Sequence, residues 1–239
     1  MKIGIIGNGK MGKEVIKVAL KRNHSIELIV DETNLQDLNI ENLKKTNVII
    51  EFTNPQSAVV NYINCFKARV PVVSGTTGWL EEIEYVKKVC GNYNATFFYA
   101  SNFSLGVNIL FEMNKQLAKI MSSYNNYNPE IEEIHHKHKK DAPSGTAISL
   151  AKGILQHNSN KSKWVNNINA HSDELLIISK RLEEVPGIHT IKYNSDVDTL
   201  TLKHEAKSRE GFALGAVLAA EFIIGKTGYF EMKDLLKFN

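Results

Sequence analysis

The chain has 239 residues, of which 43% are hydrophobic, and a formal net charge of +3. This length allows one large or two smaller domains, and so small a net charge argues against a nucleic-acid-binding protein. No stretch approaches the roughly 18 apolar residues of a membrane span, and no signal sequence is visible. The two cysteines, Cys65 and Cys90, lack metal-site spacing. We therefore expect a cytoplasmic protein with free thiols and no membrane or nucleic-acid partner.

The first hundred residues alternate short apolar runs with amphipathic stretches. This order is typical of βαβ units, in which right-handed helical crossovers join parallel strands. It predicts an α/β domain with a parallel sheet over residues 1–103. The predicted strands are 3–6, 26–30, 47–52, 70–74 and 96–100, and the predicted helices are 11–22, 56–67 and 80–90.

The rhythm changes after Asn102, where strands cease to alternate regularly with helices. The pattern predicts an α+β domain with a mixed or antiparallel sheet over residues 104–212. The remaining residues, 213–239, are expected to return to the first domain through an apolar helix. The predicted helices are 106–121, 144–156 and 213–224, and the predicted strands are 130–135, 174–181, 190–193 and 198–205.

A glycine-rich turn follows the first strand and opens the first helix. It has the form G-x-G-x-x-G, in which the glycines permit a tight turn, a close approach to a pyrophosphate and close helix packing. Asp31, at the end of the second strand, is placed to bind a ribose diol. The turn predicts a Rossmann-type dinucleotide site, and a glycine turn of another doubly wound fold is the alternative. Its residues are Gly7, Asn8, Gly9, Lys10, Met11 and Gly12.

The stretch from residue 133 to 146 is the richest in groups that can do chemistry. If the strand persists, His135, Lys137 and Lys139 share one face, where they could bind a carboxylate and deliver a proton. Ser144 is a good N-cap, so the following amides offer an anion site at a helix start. The helix begins with Gly145 and Thr146.

Three other interpretations of this stretch stay open. A basic run is often only a solvated face. His136 and His138 could bind a metal, but no third ligand with fitting spacing is visible, and we expect no metal. A polyanion-binding patch is disfavoured by the small net charge.

The same stretch resembles the signature of the dihydrodipicolinate reductase family, Glu-x-His-His-x-x-Lys-x-Asp-Ala-Pro-Ser-Gly-Thr. The glycine-rich turn resembles the cofactor loop of that family, and three further motifs follow in the family's order. These motifs are Glu51-Phe52-Thr53-Asn54-Pro55, Gly75-Thr76-Thr77-Gly78 and Ser101-Asn102-Phe103-Ser104-Leu105-Gly106-Val107-Asn108. Gly187-Ile188-His189-Thr190 is also similar, so the resemblance covers essentially the whole chain.

The resemblance implies roles for individual residues. His135 matches a proton-handling histidine, and Lys139 matches a proton donor that also anchors substrate. His136, Ser144, Gly145 and Thr146 match substrate-binding positions. Thr77 is implied to contact both substrate and cofactor. The implied nicotinamide-side residues are Gly75, Thr76, Thr77, Ala100, Ser101, Asn102 and Phe103.

The resemblance also implies an activity. NADH or NADPH would reduce the cyclic imine dicarboxylate from 4-hydroxy-tetrahydrodipicolinate, in diaminopimelate and lysine synthesis. There are two alternatives. One is another small Rossmann reductase, such as an aspartate-dehydrogenase-like enzyme, and the other is a catalytically silent nicotinamide-binding regulator. Asp31 and Glu32 have no arginine beside them, which favours NADH. Glu51 stands where the family usually has aspartate.

A homotetramer formed through the second-domain sheet is implied as well. The predicted strands carry alternating side chains, so that Leu176 and Ile178 share a face, as do Leu200 and Leu202. One helix can cover only one face of such a sheet. The other face needs a partner or is simply solvated.

Overall fold

The computed structural model describes residues 1–167 and 169–238. The chain divides into two compact units. The first contains residues 1–105 and the C-terminal segment from 209 onward, and the second contains residues 106–208. Within the described ranges, no helix has both the length and the apolarity needed to cross a bilayer.

Strands and α-helices follow each other through the described residues in the order β1 α1 β2 α2 β3 α3 β4 α4 β5 α5 β6 α6 β7 β8 β9 β10 α7 β11 α8. The strands are β1 Lys2–Ile6, β2 Ser25–Val30, β3 Val48–Glu51, β4 Val72–Ser74, β5 Thr96–Tyr99, β6 Asn128–His136, β7 Lys163–Val165, β8 Glu174–Leu182, β9 Ile188–Asn194, β10 Thr199–Glu205 and β11 Gly228–Phe230. The helices are α1 Lys10–Lys21, α2 Ile40–Leu43, α3 Pro55–Ala68, α4 Ile83–Asn92, α5 Leu105–Met121, α6 Gly145–Leu155, α7 Glu210–Ile223 and α8 Met232–Leu236.

The first unit is built on a six-stranded sheet in the order β11-β5-β4-β3-β1-β2. Each neighbouring pair is parallel, as the alternation of strands and helices predicts. The strand order reverses between β1 and β3, and open α/β sheets bind ligands at the carboxyl ends of strands beside such a switch point. The fold therefore creates a crevice after β1 and β3.

Helices on both faces explain why the central strands of the first unit are buried and mostly apolar. All four residues of β3 are buried. On one face, Val15 and Ala19 of α1 belong to the same core cluster as Ala216 and Ala220 of α7. On the other face, Tyr62 and Phe66 of α3 pack with Phe97 of β5.

The second unit is built on a mixed five-stranded sheet in the order β10-β9-β6-β8-β7. Strand β6 pairs in parallel with β8 and antiparallel with β9. Ile131, Leu175, Ile177 and Ile191 form a core with the apolar side of α6. This core leaves Leu176 and Ile178, which alternate with the buried residues of β8, only partly buried.

The structure confirms the mixed sheet and the parallel sheet, and it adds elements that the sequence pattern did not predict. These are β7, β11, α2 and α8, each three to five residues long. Such elements are too short to show a hydrophobic period. The segment predicted as a helix over 80–90 begins as a 3-10 turn, Leu80–Glu82, before α4.

Candidate active site

The glycine-rich turn lies between β1 and α1, as the sequence predicts. Gly7 has φ +97°, and a Cβ there would lie 1.9 Å from the carbonyl oxygen of Phe52. A Cβ on Gly12 would lie 2.0 Å from the Gly7 carbonyl oxygen, so α1 approaches the turn closely. A Cβ on Gly9 would meet nothing within 4 Å, and no side chain caps the start of α1. The turn therefore leaves space at a helix N-terminus, where anions bind well.

Asp31 follows β2 at the same edge of the sheet. Its carboxylate accepts hydrogen bonds from the backbone N–H of Thr33, at 2.9 Å, and from the Thr33 hydroxyl, at 2.6 Å. These bonds lower the pKa of Asp31 and hold it ionised. Asn8 of the glycine-rich turn also contributes to the lowered pKa of Asp31. The acid and the turn line the same cleft.

Two adjoining clefts run along this edge. One, of about 430 Å³, is lined by the glycine-rich turn, Asp31 and the residues after β3. The other, of about 520 Å³, extends from Lys10 and Met11 to the turn after β4. Clefts of this size suit a cofactor. Among the predicted cofactor residues, the clefts bring together Gly7, Asn8, Gly9, Lys10, Met11, Asp31, Gly75, Thr76 and Thr77.

A buried carboxyl group, Glu51, holds the ends of β3 and β4 together. It is fully buried, and it accepts hydrogen bonds from the hydroxyls of Ser74, at 2.7 Å, and Thr76, at 2.9 Å. Burial raises the pKa of Glu51. The Thr76 hydroxyl also accepts from the backbone N–H of Thr53 at 2.8 Å. Thr76 thus braces the cleft wall, whereas Thr77 is exposed.

The predicted nicotinamide-side residues after β5 differ in their surroundings. Ala100 and Phe103 are buried in the core of the first unit, and Phe103 packs edge-on against Phe52 at 5.9 Å between ring centroids. Ser101 is exposed, and the side chain of Asn102 accepts from the backbone N–H of Ser104 at 2.9 Å. Neither cleft described above includes these residues in its lining.

In the second unit, Glu133 and His135 lie on the buried face of β6. Successive residues of a strand point to opposite faces, so Glu133 and His135 share the face of Ile131. Nδ1 of His135 hydrogen-bonds to Oε2 of Glu133. A carboxylate bonded to one ring nitrogen fixes the orientation of the imidazole, as a general acid or base requires.

Glu133 is fully buried and has three kinds of partner. Besides His135, its carboxylate accepts from Nη2 of Arg181 at 3.0 Å and from the backbone N–H of Ser144 at 3.3 Å. Burial raises the pKa of this carboxyl, but the hydrogen bonds from His135 and Arg181 outweigh burial and bring it to about 2. Glu133 is therefore an anion at neutral pH.

Ser144 caps α6, as the sequence predicts. Its hydroxyl accepts from the backbone N–H of Ala147 and lies 3.2 Å from Nε2 of His189. Burial lowers the pKa of His189 to about 3, so this imidazole is neutral. The first turn of α6, which begins with Gly145 and Thr146, carries no acidic residue. Its N-terminus is consequently suited to a carboxylate.

The expected His-Lys-Lys face does not form, because β6 ends at His136. Lys137 and Lys139 lie in the following loop instead. Nζ of Lys139 binds both carboxylate oxygens of Asp141, at 2.7 and 2.8 Å, and its side chain is 24% exposed. Lys137 is 59% exposed and pairs with Glu183. Of these two lysines, Lys139 is the more sheltered, and its carbonyl oxygen lies 3.4 Å from Nε of Arg181, the partner of Glu133.

The histidines permit a test of the metal interpretation. The rings of His136 and His138 lie 6.2 Å apart, and the possible ligand cluster among the described residues is a different one, Glu133 with His135 and His189. Within that cluster, the Glu133 carboxylate is already bonded to His135 and Arg181. A divalent cation there would be repelled by the neighbouring guanidinium of Arg181. The arrangement therefore suits a hydrogen-bonded carboxylate and imidazole better than a metal centre.

The sequence pattern gives no role to Glu51 in the first unit, or to Glu133, Arg181 and His189 in the second. Glu51, Glu133 and His189 are letters of motifs, and Arg181 is the end of a predicted strand. The alternation of Glu133 with His135 on one strand was an available signal. No local pattern indicates the role of Arg181, because its contacts depend on the pairing of β6 with β8.

Comparison with known proteins matches the chain in two parts. Residues 1–103 match the family model described as dihydrodipicolinate reductase, N-terminus, and residues 106–236 match the one described as dihydrodipicolinate reductase, C-terminus.

Two curated proteins that share the name 4-hydroxy-tetrahydrodipicolinate reductase are similar to the chain. The protein from Christiangramia forsetii is 46% identical over 240 residues, covering 99% of this chain and 98% of its own. The protein from Thermosipho africanus is 33% identical over 243 residues, with the same coverage of both chains.

A solved structure, dipicolinate-bound dihydrodipicolinate reductase from Paenisporosarcina sp. TG-14, has a TM-score of 0.77 at 24% identity and covers 97% of both chains. A probable dehydrogenase from Thermotoga maritima has a TM-score of 0.61 at 10% identity, covering 98% of this chain and 92% of its own. At these identities the structures support the fold alone.

Proposed function

Since this chain belongs to the dihydrodipicolinate reductase family, we propose that it reduces the cyclic imine dicarboxylate formed from 4-hydroxy-tetrahydrodipicolinate, giving tetrahydrodipicolinate. The chain is an oxidoreductase of diaminopimelate and lysine synthesis, and its reductant is NADH or NADPH. The observation that carries the proposal is the bonded pair of His135 and Glu133 beside a helix start that suits a carboxylate.

The two units would divide the work. Residues 1–103 would bind the dinucleotide, residues 104–212 would bind the substrate and form the oligomer, and residues 213–239 would complete the dinucleotide-binding domain. The buried apolar face of α7, which belongs to the core of the first unit, supports the last assignment.

The residues present fit a nicotinamide dinucleotide, which when bound supplies the hydride. The turn after β1 has open space at the N-terminus of α1 for the pyrophosphate. Asp31, ionised and oriented by Thr33, would accept hydrogen bonds from the ribose diol. Thr77 and residues 100–103 would line the nicotinamide side.

The substrate carries two carboxylates, and the second unit offers cationic and N–H partners. Lys139 would exchange Asp141 for one substrate carboxylate. The backbone N–H groups at Gly145 and Thr146 would bind a carboxylate at the start of α6, which Ser144 caps. His136, at the end of β6, would contact the same ligand.

The net reduction adds one hydride and one proton across a double bond conjugated with the imine. Lys139 would donate that proton, and His135 would handle protons while Glu133 holds the orientation of its ring. His189, which is neutral, would hold Ser144 rather than exchange protons.

The proposal extends to the assembly and the location of the protein. A homotetramer through the second-unit sheet would cover Leu176 and Ile178, which the core leaves partly exposed. A cytoplasmic location fits the two cysteines, both buried as free thiols.

The proposal is tested by following the loss of reduced-nicotinamide absorbance while a synthase generates the substrate. We expect turnover that depends on both the synthase and the chain. The absence of turnover, with NADH binding intact, would contradict the proposed substrate.

A further inference from the structure

We propose that Arg181 is a positioning residue of the second unit. In this role its guanidinium fixes the loop that carries Lys139 and joins that loop to the carboxylate bonded to His135. The inference rests on the proposed function, because it concerns how the proposed proton donor is held. We call residues 137–143, between β6 and α6, the lysine loop.

Arg181 reaches the lysine loop from the neighbouring strand. In the parallel pairing of β6 and β8, Arg181 lies opposite His135. Its Nη2 donates to the carbonyl oxygen of Asp141 at 2.6 Å, and its Nε points to the carbonyl oxygen of Lys139 at 3.4 Å. The guanidinium therefore contacts the loop backbone on both sides of Lys140.

The same guanidinium binds Glu133. Nη2 lies 3.0 Å from Oε1 of this fully buried carboxylate, whose other oxygen bonds to Nδ1 of His135. One side chain thus connects the proposed proton donor and the proposed proton-handling histidine. Its own exposed fraction is only 20%, which limits competition from water.

The chemistry of the position requires arginine rather than a positive charge alone. A guanidinium is planar and donates several N–H bonds in fixed directions, so it can hold a carboxylate and two carbonyls together. A lysine ammonium could retain the ion pair with Glu133 but has no rigid fork to hold the loop. The N–H of Lys139 also bonds to the carbonyl of His136 at 3.1 Å, at the start of the loop, and the N–H of Ser144 bonds to Glu133 at 3.3 Å, directly after it. Arg181 holds the carbonyl of Asp141, which lies between these two bonds.

The test compares Arg181→Lys, Arg181→Gln and the control Lys180→Gln. Lys180 is the adjacent residue and is also cationic, but its side chain pairs with a different β6 carboxylate, that of Glu132, instead of reaching the lysine loop. For each protein we would measure circular dichroism, the Kd for NADH, the Kd for dipicolinate as a dicarboxylate probe, and kcat/KM with synthase-generated substrate.

In folded Arg181→Lys we expect kcat/KM to fall by about 10- to 100-fold, the scale of a misplaced catalytic group. Dipicolinate binding should weaken, NADH binding should stay normal, and Arg181→Gln should be at least as impaired. Lys180→Gln should behave as wild type.

Normal dipicolinate binding and turnover in Arg181→Lys would overturn the proposal, because the ion pair alone would then suffice. Failure of Arg181→Lys to fold would also overturn it, by making Arg181 a residue of stability. A wild-type chain that binds dipicolinate but does not turn over the substrate would refute the proposed function. The dipicolinate comparison would still test the loop.

Discussion

Lys139 and Lys137 stand two residues apart, yet their surroundings differ. Lys139 is 24% exposed and engaged by Asp141, whereas Lys137 is 59% exposed and pairs with Glu183 on the surface. We predict that Lys139→Ala lowers kcat by roughly 10²- to 10⁴-fold, the usual value of a positioned proton donor, and leaves NADH binding unchanged. Steady-state kinetics with the matched control Lys137→Ala, expected to be near normal, would check this. Near-normal turnover in Lys139→Ala would make the basic run a solvated face.

His189 makes stability depend on pH. Burial lowers its pKa to about 3 from an ordinary value of 6.5, so between these values the unfolded chain binds a proton that the folded chain does not. The unfolding free energy that the neutral form of His189 contributes is therefore fully present above pH 6.5. It is lost as the pH falls from 6.5 toward about 3.

We predict that His189→Gln reduces the slope of the unfolding free energy against pH by up to about 1.4 kcal/mol per pH unit. Denaturant unfolding between these pH values would measure the slope, and exposed His157→Gln is the control. Identical slopes in His189→Gln and wild type would mean that His189 is charged in the folded protein.

The sequence indicates the candidate catalytic and binding residues better than it indicates the residues that contact them. His135, Lys139 and Ser144 stand in one short stretch, so local spacing was enough to select them. The arrangement of Lys139 was not predictable, because a strand that ends at His136 instead of continuing places both lysines in a loop. Arg181 and His189 reach the site through strand pairing between distant segments, which local patterns do not encode.

At the scale of secondary-structure elements, the residue that follows β2, Asp31, affects the choice between NADH and NADPH. Asp31 is ionised, oriented by Thr33, and lines the cleft beside the glycine-rich turn. We predict that kcat/KM with NADH equals or exceeds that with NADPH, because the carboxylate can bind a ribose diol but repels a 2′-phosphate.

Asp31→Asn should shift the ratio of the two kcat/KM values toward NADPH by roughly tenfold, on the scale of one charge near a protein surface. Glu41→Gln, which changes an exposed carboxylate outside the lining of both clefts, is the control. A clear preference of the wild type for NADPH would show that Lys10 or another cation outweighs Asp31.

Long periodic elements were predictable, and short ones were not. The predicted helix over 56–67 forms as α3, with Asn54 as its N-cap and Pro55 at its first turn. By contrast, β11 has three residues and is a strand only because β5 offers an unpaired edge beside it. Such a strand is specified by its partner rather than by its own pattern.

At the scale of the whole molecule, the partly exposed aliphatic side chains of β8 indicate how copies of the chain could associate. Leu176 and Ile178 are partly buried and lie beside the ion pair of Lys192 with Glu130 and that of Lys180 with Glu132. We predict a homotetramer, because paired copies of this sheet face would bury the aliphatic side chains.

Light scattering at micromolar concentration would measure the assembly. Ile178→Lys should yield smaller species, since it places a charge among these aliphatic groups. Val197→Lys changes a turn residue that is 83% exposed and should not alter the mass. An active wild-type monomer would show that this face is stable in water.

The place of β11 in the chain affects how the protein folds. Residues 106–208 form the second unit from one continuous segment, whereas the first unit needs α7 and β11 from beyond residue 208. During folding, the second unit can therefore complete its core from one segment, whereas the first unit must recruit the distant helix that packs against α1 and the strand that covers the edge of β5. Until residues 228–230 pair with β5, the chain exposes an apolar sheet edge that favours aggregation.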